Sequence, residues 1–157
     1  MPRHQYKRIP VKPEPVYNSF EVAKLINYIT KDGKKSVAEK IVYGVMERFK
    51  KDTLDPLKTL HLALSNVAPN HEVKPKRLGG ASYLVPIEVR KERKLYLSLN
   101  WIVDNARAKS NKEFHTFEEK LYTEIRDAAQ NTGPSIAKKV QTEKLADANK
   151  AFAHLKW

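Results

Sequence analysis

The sequence predicts a mainly α protein, a bundle of about six helices with one protruding β-hairpin ribbon between helices three and four. Three observations carry this. Apolar residues recur three and four positions apart in five windows, the period of a helix with one buried face, and a sixth helix is expected after the Gly133-Pro134 break. Those windows are bracketed by capping residues and breakers. One stretch, from His71 to Lys94, instead alternates β-formers on either side of Gly79-Gly80, a pair suited to the positive φ angles of a tight hairpin turn.

The first helix is expected from about Ser19 to Thr30, with an Asn18/Ser19 cap, Glu21 in its first turn and an apolar stripe of Phe20, Ala23, Leu25 or Ile26, and Ile29. Asp32-Gly33 closes it, because glycine readily takes the left-handed cap conformation. Ser36 and Glu39 have the spacing of a capping box for a second helix reaching about Lys51, with Ile41, Val42, Val45 and Phe49 inside. Its last turn, Arg48 to Lys51, is cationic, which the helix dipole favours. Asp55-Pro56 begins helix three, lined by Leu57, Leu60, Leu64 and Val67. Helix four is expected from Glu92 to Lys109 on Leu95, Leu99, Ile102 and Ala106, with Trp101 at its flank. Thr116 and Glu119 form a capping box for helix five, which runs to about Gln130 with Phe117, Leu121, Ile125 and Ala129 inward. Gly133-Pro134 breaks the chain before helix six, from about Ser135 to Asn149.

In the ribbon, a two-glycine loop sets Lys76 opposite Tyr83 and Lys74 opposite Val85. Pro75 and Pro86 then both fall outside the inter-strand hydrogen bonds, where a residue without an N–H is tolerated. A two-stranded ribbon is marginal in water, so one this basic is most simply held by a polyanion or a neighbouring protein. The expected layout is a single domain over 1–157. It comprises an extended basic arm (1–17), helices one to three (18–70), the ribbon (71–90), helices four to six (91–149) and a tail (150–157).

Thirty Lys and Arg against eighteen Asp and Glu give a net charge of +12, which points first to nucleic acid, then to an acidic membrane surface, then to a merely basic soluble domain. With no cysteine, disulfides, thiolate zinc sites and cysteine nucleophiles are excluded together. No apolar run approaches the roughly 18 to 20 residues of a membrane span, and the N-terminus lacks a signal-peptide core, so a cytoplasmic, membrane-free protein is expected.

The cations fall into groups. Arg3, Lys7, Arg8 and Lys12 lie among prolines in the arm, with Glu14 as its one acid. Lys31, Lys34 and Lys35 sit at the junction of the first two helices. Lys74, Lys76 and Arg77 line the first arm of the ribbon, next to Gly79 and Gly80 at its tip. Arg90, Lys91, Arg93 and Lys94 crowd the start of helix four, where cations oppose the helix dipole and call for a compensating anion. Lys138 and Lys139 belong to helix six. Tyr83 is a candidate to stack on a base, with packing against Lys76 as the equal alternative. Helix five is different: Glu113, Glu118, Glu119, Glu124 and Asp127 outweigh Lys120 and Arg126, which suits a solvent- or protein-facing surface better than a phosphate-facing one.

Catalytic patterns are missing. Gly33-Lys34-Lys35-Ser36 fails as a phosphate loop because Tyr28 stands where the first glycine is needed, Lys35 intrudes before the serine, and a helix precedes it. The five histidines show no metal spacing, and Glu118 and Glu119 diverge by about 100° on a helix. No metal, cofactor or enzymatic activity is therefore expected. A DNA-bending protein with a ribbon arm is the alternative from another class, although such arms carry an apolar wedge near the tip, where this chain has two glycines.

Three motifs in order, DGKKSVAEKIVYGV from Asp32, VKPKRLGGASYLVPIEVR from Val73, and DAAQNTG with EKLADANKAFAHLKW near the end, resemble the bacterial small-subunit ribosomal protein seven family over almost the whole chain. The resemblance implies a primary binder of small-subunit ribosomal RNA that nucleates assembly of the subunit head. It also implies a place at the subunit interface near the exit-site transfer RNA and the departing messenger RNA, with ribosomal proteins nine and eleven as neighbours. The chain departs from the family pattern at Val45, usually a small residue, and over residues 110–124, which are more acidic and aromatic than usual. No RNA contact is carried onto that segment.

Overall fold

The computed structural model describes residues 11–155. Its elements run α1 (Phe20–Ile29), α2 (Lys35–Lys51), α3 (Pro56–Val67), β1 (His71–Leu78), β2 (Ala81–Glu88), α4 (Lys91–Ala108), α5 (Phe117–Ala129) and α6 (Pro134–Ala148), followed by a 3-10 helix at Lys150–Leu155. The mainly helical architecture with one hairpin between α3 and α4 is the expected one.

Most helix starts follow their sequence signals. Ser19 accepts from the Val22 N–H, and Asp55 accepts from the Leu57 and Lys58 N–H groups ahead of Pro56. At α5 both halves of the capping box form, the Thr116 hydroxyl accepting from the Glu119 N–H and the Glu119 carboxylate accepting from the Thr116 N–H. Thr116→Ala is expected to cost about 1 kcal/mol, read as a lower urea midpoint at unchanged slope; no shift in midpoint would show the box to be idle.

Two expectations are corrected. The Ser36/Glu39 box does not form: α2 begins at Lys35 with Lys34 as an uncapped N-cap, so Ser36 is already inside the helix. Asp32 and Gly33 take left-handed φ values of 53° and 72°, and the Lys34 N–H bonds to the Lys31 carbonyl, so a backbone turn fixes the start two residues early. Glu39 pairs instead with Lys35 at 3.6 Å. Phe20 is not core but 40% exposed, with the Lys24 ammonium over its ring. The buried stripe of α1 is Val22, Leu25, Ile26 and Ile29.

One apolar core joins α1 to α5 through Leu25, Val42, Phe49, Leu60, Leu99, Ile102, Leu121 and Ile125. Helix α5 is its post, packed against α2, α3 and α4. Its polar residues are therefore split: Lys120 and Glu124 are buried with the core, while Arg126 stays exposed. Glu124 accepts from the Ser135 hydroxyl at 2.5 Å and from the Ser135 N–H at 3.3 Å, and Lys109 Nζ lies 3.1 Å from its other oxygen. Lys109 also stands 3.7 Å from Asp127. This polar knot ties the ends of α4, α5 and α6 together.

The hairpin has the expected register, with Lys76 opposite Tyr83, Lys74 opposite Val85, Pro75 opposite Leu84 and Val73 opposite Pro86. Gly79 and Gly80 both carry positive φ, 55° and 89°, as a two-residue loop of this hand requires. The ribbon is not isolated. Helix α6 packs along β1 and touches β2, and the 3-10 helix packs on β2.

Candidate nucleic-acid interface

Where β1 and β2 meet α4, the chain forms an open groove of about 770 Å³ lined by Glu72, Lys74, Ile87, Glu88, Val89, Arg90, Lys91, Arg93 and Lys94. Arg90 is the N-cap of α4, in extended conformation and without a side-chain cap bond, so the first N–H groups of an 18-residue helix open beside four cations. Helix dipole and side chains together favour an anion at this point. The apolar part of the lining is Ile87 and Val89; Val89 is buried, and its N–H bonds to the Asn70 carbonyl, closing the ribbon onto its root.

The cations in the groove are not equivalent. Glu72 accepts from Arg93 Nε and Nη2, both at 3.2 Å, and Arg93 also lies 5.0 Å from the centre of the Tyr96 ring. Arg93 is thus held by the protein itself. Lys94 donates to Asn70 Oδ1 at 2.7 Å, which pins the amine against the loop before β1. Lys74, Arg90 and Lys91 are exposed.

From this groove a short aromatic bridge leads to the helix junction. Tyr96 meets Tyr28 of α1 edge-on at 5.8 Å, and Arg107 donates to the Tyr28 and Ile29 carbonyls at the end of α1. Burial and the neighbouring Tyr96 push the Tyr28 phenol up, partly offset by Arg93, so it stays neutral across the physiological range. Exposed Lys31, Lys34 and Lys35 lie just beyond, at the α1–α2 turn. The structure thus links two of the predicted basic groups through Tyr28 and Tyr96.

Other predicted residues are placed differently. The Tyr83 ring rests 5.4 Å from Phe152 of the 3-10 helix, and Lys76 donates to the Leu155 carbonyl at 2.8 Å. Tyr83 therefore has a ring partner in this chain, Phe152, and stands opposite Lys76 across the strands. Lys139 donates to the Asn66 carbonyl, tying α6 to α3, whereas Lys138 is exposed. Arg77, Gly79 and Gly80 stand exposed around the ribbon tip, and Lys12 is exposed in the arm. Arg3, Lys7 and Arg8 lie outside the described residues. Among the described residues no group of three metal-ligating side chains occurs, and no helix is long and apolar enough to cross a membrane.

Sequence reasoning missed the 3-10 helix and the internal partners of Arg93, Lys76 and Lys139. Glu72 opposite a basic run was the available signal for the first; nothing local announces the others, whose partners are backbone carbonyls 73 to 79 positions away.

Residues 1–150 match the model of the family described as ribosomal protein S7p/S5e. The chain belongs to the ribosomal protein S7p/S5e family. Its relatives in that family include the small ribosomal subunit protein uS7 of Thermoanaerobacter pseudethanolicus, 52% identical over 159 aligned positions and the full length of both chains. That of Caldanaerobacter subterraneus is 54% identical over 148 positions, covering 94% of this chain and 93% of the relative. The uS7 protein of Thermodesulfovibrio yellowstonii is 49% identical over the full length of both.

Proposed function

We propose that this chain, a small-subunit ribosomal protein of the S7p/S5e family, is a structural, non-enzymatic constituent of the bacterial ribosome that grips ribosomal RNA through the groove at the root of its ribbon. The observation that carries the reading is the convergence of Lys74, Arg90, Lys91 and Lys94 on the open N-terminus of α4. The cations neutralise phosphates, and the rigid ribbon-and-helix corner selects a folded RNA by shape. The junction lysines, the arm cations, Arg77 and Lys138 extend this surface. In this reading the protein works in the cytoplasm as part of the ribosome. It binds early to the RNA of the subunit head and nucleates its assembly, faces the subunit interface near the exit-site transfer RNA and the messenger RNA, and neighbours ribosomal proteins nine and eleven.

Salt dependence tests the reading directly. With about six to eight phosphates engaged, log affinity for small-subunit ribosomal RNA should fall against log salt with a slope of about −4 to −7. A slope near zero in a filter-binding titration rules out a phosphate grip. Matched titrations on duplex DNA separate this protein from a DNA-bending one, which would prefer the duplex.

A further inference from the structure

Glu14, the one acid of the basic arm, is not solvated. Its residue is only 4% exposed. Its carboxylate accepts from the Val16 N–H at 2.9 Å, from the Tyr17 N–H at 2.6 Å and from the Tyr43 hydroxyl of α2. Its own N–H donates to the Ser19 carbonyl at 3.1 Å, so residues 14–19 close into a loop that ends in the N-cap of α1. The loop is clamped from above as well: the Tyr17 ring lies 6.3 Å from Tyr43, with the Lys50 ammonium 5.1 Å from its centre.

A carboxylate buried this far is ordinarily costly and survives only when its lone pairs are filled. Here burial pushes the Glu14 pKa up, and the hydrogen bonds from Tyr43, Tyr17 and Val16 more than offset it, leaving the carboxyl below its usual value. The Tyr43 phenol is pushed up to about 12, first by its bond to Glu14 and then by burial. Glu14 therefore stays charged and Tyr43 protonated at neutral pH. The loop it organises joins the arm to the N-cap of α1, and Tyr17 within it packs against the core.

We propose that Glu14 and Tyr43 form a latch that anchors the root of the basic arm on α2, and so set where the arm's cations leave the body to meet RNA phosphates. Lys12, two residues before the anchor, is held within about 7 Å of it by chain length alone. Arg3, Lys7 and Arg8 precede the same anchor in the sequence. Without the anchor, the arm must be ordered at its root during binding, which weakens affinity without removing a single phosphate contact. The inference rests on the reading of the arm as an RNA-binding element, and both can be tested in the full-length chain.

Four proteins are titrated with deproteinised small-subunit ribosomal RNA: the native chain, Tyr43→Phe, a chain with Arg3, Lys7, Arg8 and Lys12 all changed to Gln, and the combination. Neutralising the arm should lessen the salt slope by about 3 to 4, and an unchanged slope would overturn the arm reading on which the latch depends. Tyr43→Phe should raise Kd about 3- to 10-fold in the native chain at unchanged salt slope, and less than about 2-fold in the neutralised chain. An equal loss in both chains would mean that Tyr43 serves the fold alone and would overturn the latch, as would no loss in either. Glu14→Ala should match Tyr43→Phe or exceed it. Glu14→Gln, which retains an oxygen for Tyr43, should recover part of the affinity; failure to do so would also count against the latch.

Discussion

Lys109→Met should destabilise the protein by about 3–5 kcal/mol, because it strands the fully buried Glu124 carboxylate without its cation. The lysine is itself only 15% exposed at the side chain, so solvent screens the pair weakly. Ser135 fills one Glu124 oxygen, and Lys109 is the charge facing the other. In a protein of this length the loss corresponds to roughly 6–20 °C in Tm. The double variant Lys109→Met with Glu124→Gln should recover more than half of it, since removing both charges spares the desolvation of either. Urea unfolding followed by circular dichroism measures all three. A single-variant loss below about 1 kcal/mol would mean that water or a rearranged Asp127 reaches Glu124.

The second large effect concerns binding. Changing Lys74, Arg90, Lys91 and Lys94 together to alanine should lessen the salt slope by about 3 to 4 and, extrapolated from 1 M salt, weaken RNA binding about 10²- to 10³-fold at 0.15 M. Stability should hardly change, as these side chains sit at the surface and only Lys94 carries an internal bond, to Asn70. Arg93→Ala makes the contrasting case. It releases Glu72, a carboxylate with 12% side-chain exposure, so stability and affinity should fall together. If the fourfold variant leaves the slope untouched, the groove at the ribbon root is not where RNA is held.

The helices that were read best combine an apolar stripe with their own punctuation. Asp55-Pro56 and Thr116-x-x-Glu119 mark their helices from local chemistry alone, and the structure forms both caps. The ribbon register was equally open to reading, since two glycines and two prolines leave one pairing that satisfies all four. Ser36 misled because the same residue spacing serves inside a helix once a left-handed Asp32-Gly33 pair has already turned the chain. Phe20 misled because a stripe predicts a direction but not where the neighbouring helices end. The basic groups could be found from charge, but not their division of labour. Arg93, Lys76 and Lys139 look like their neighbours in sequence and differ only in having partners far along the chain. Helix α5 was read as an exposed or protein-facing acidic surface, and the protein it faces is largely its own, through the pairing of Glu124 with Lys109.

The packing of α6 and the 3-10 helix against the ribbon also bears on the order in which the molecule can be made. Residues 71–88 leave the synthesising machinery well before residues 134–155, yet the latter supply the surface on which the strands lie. During synthesis the hairpin can close on its own turn within microseconds, but it has no lasting support until the chain is almost finished. Contacts across 73 to 79 positions, such as Asn70 with Glu143 and Lys76 with Leu155, are therefore among the last to form. A nascent chain held before residue 134 would carry its groove residues already but lack the helical surface on which the strands lie.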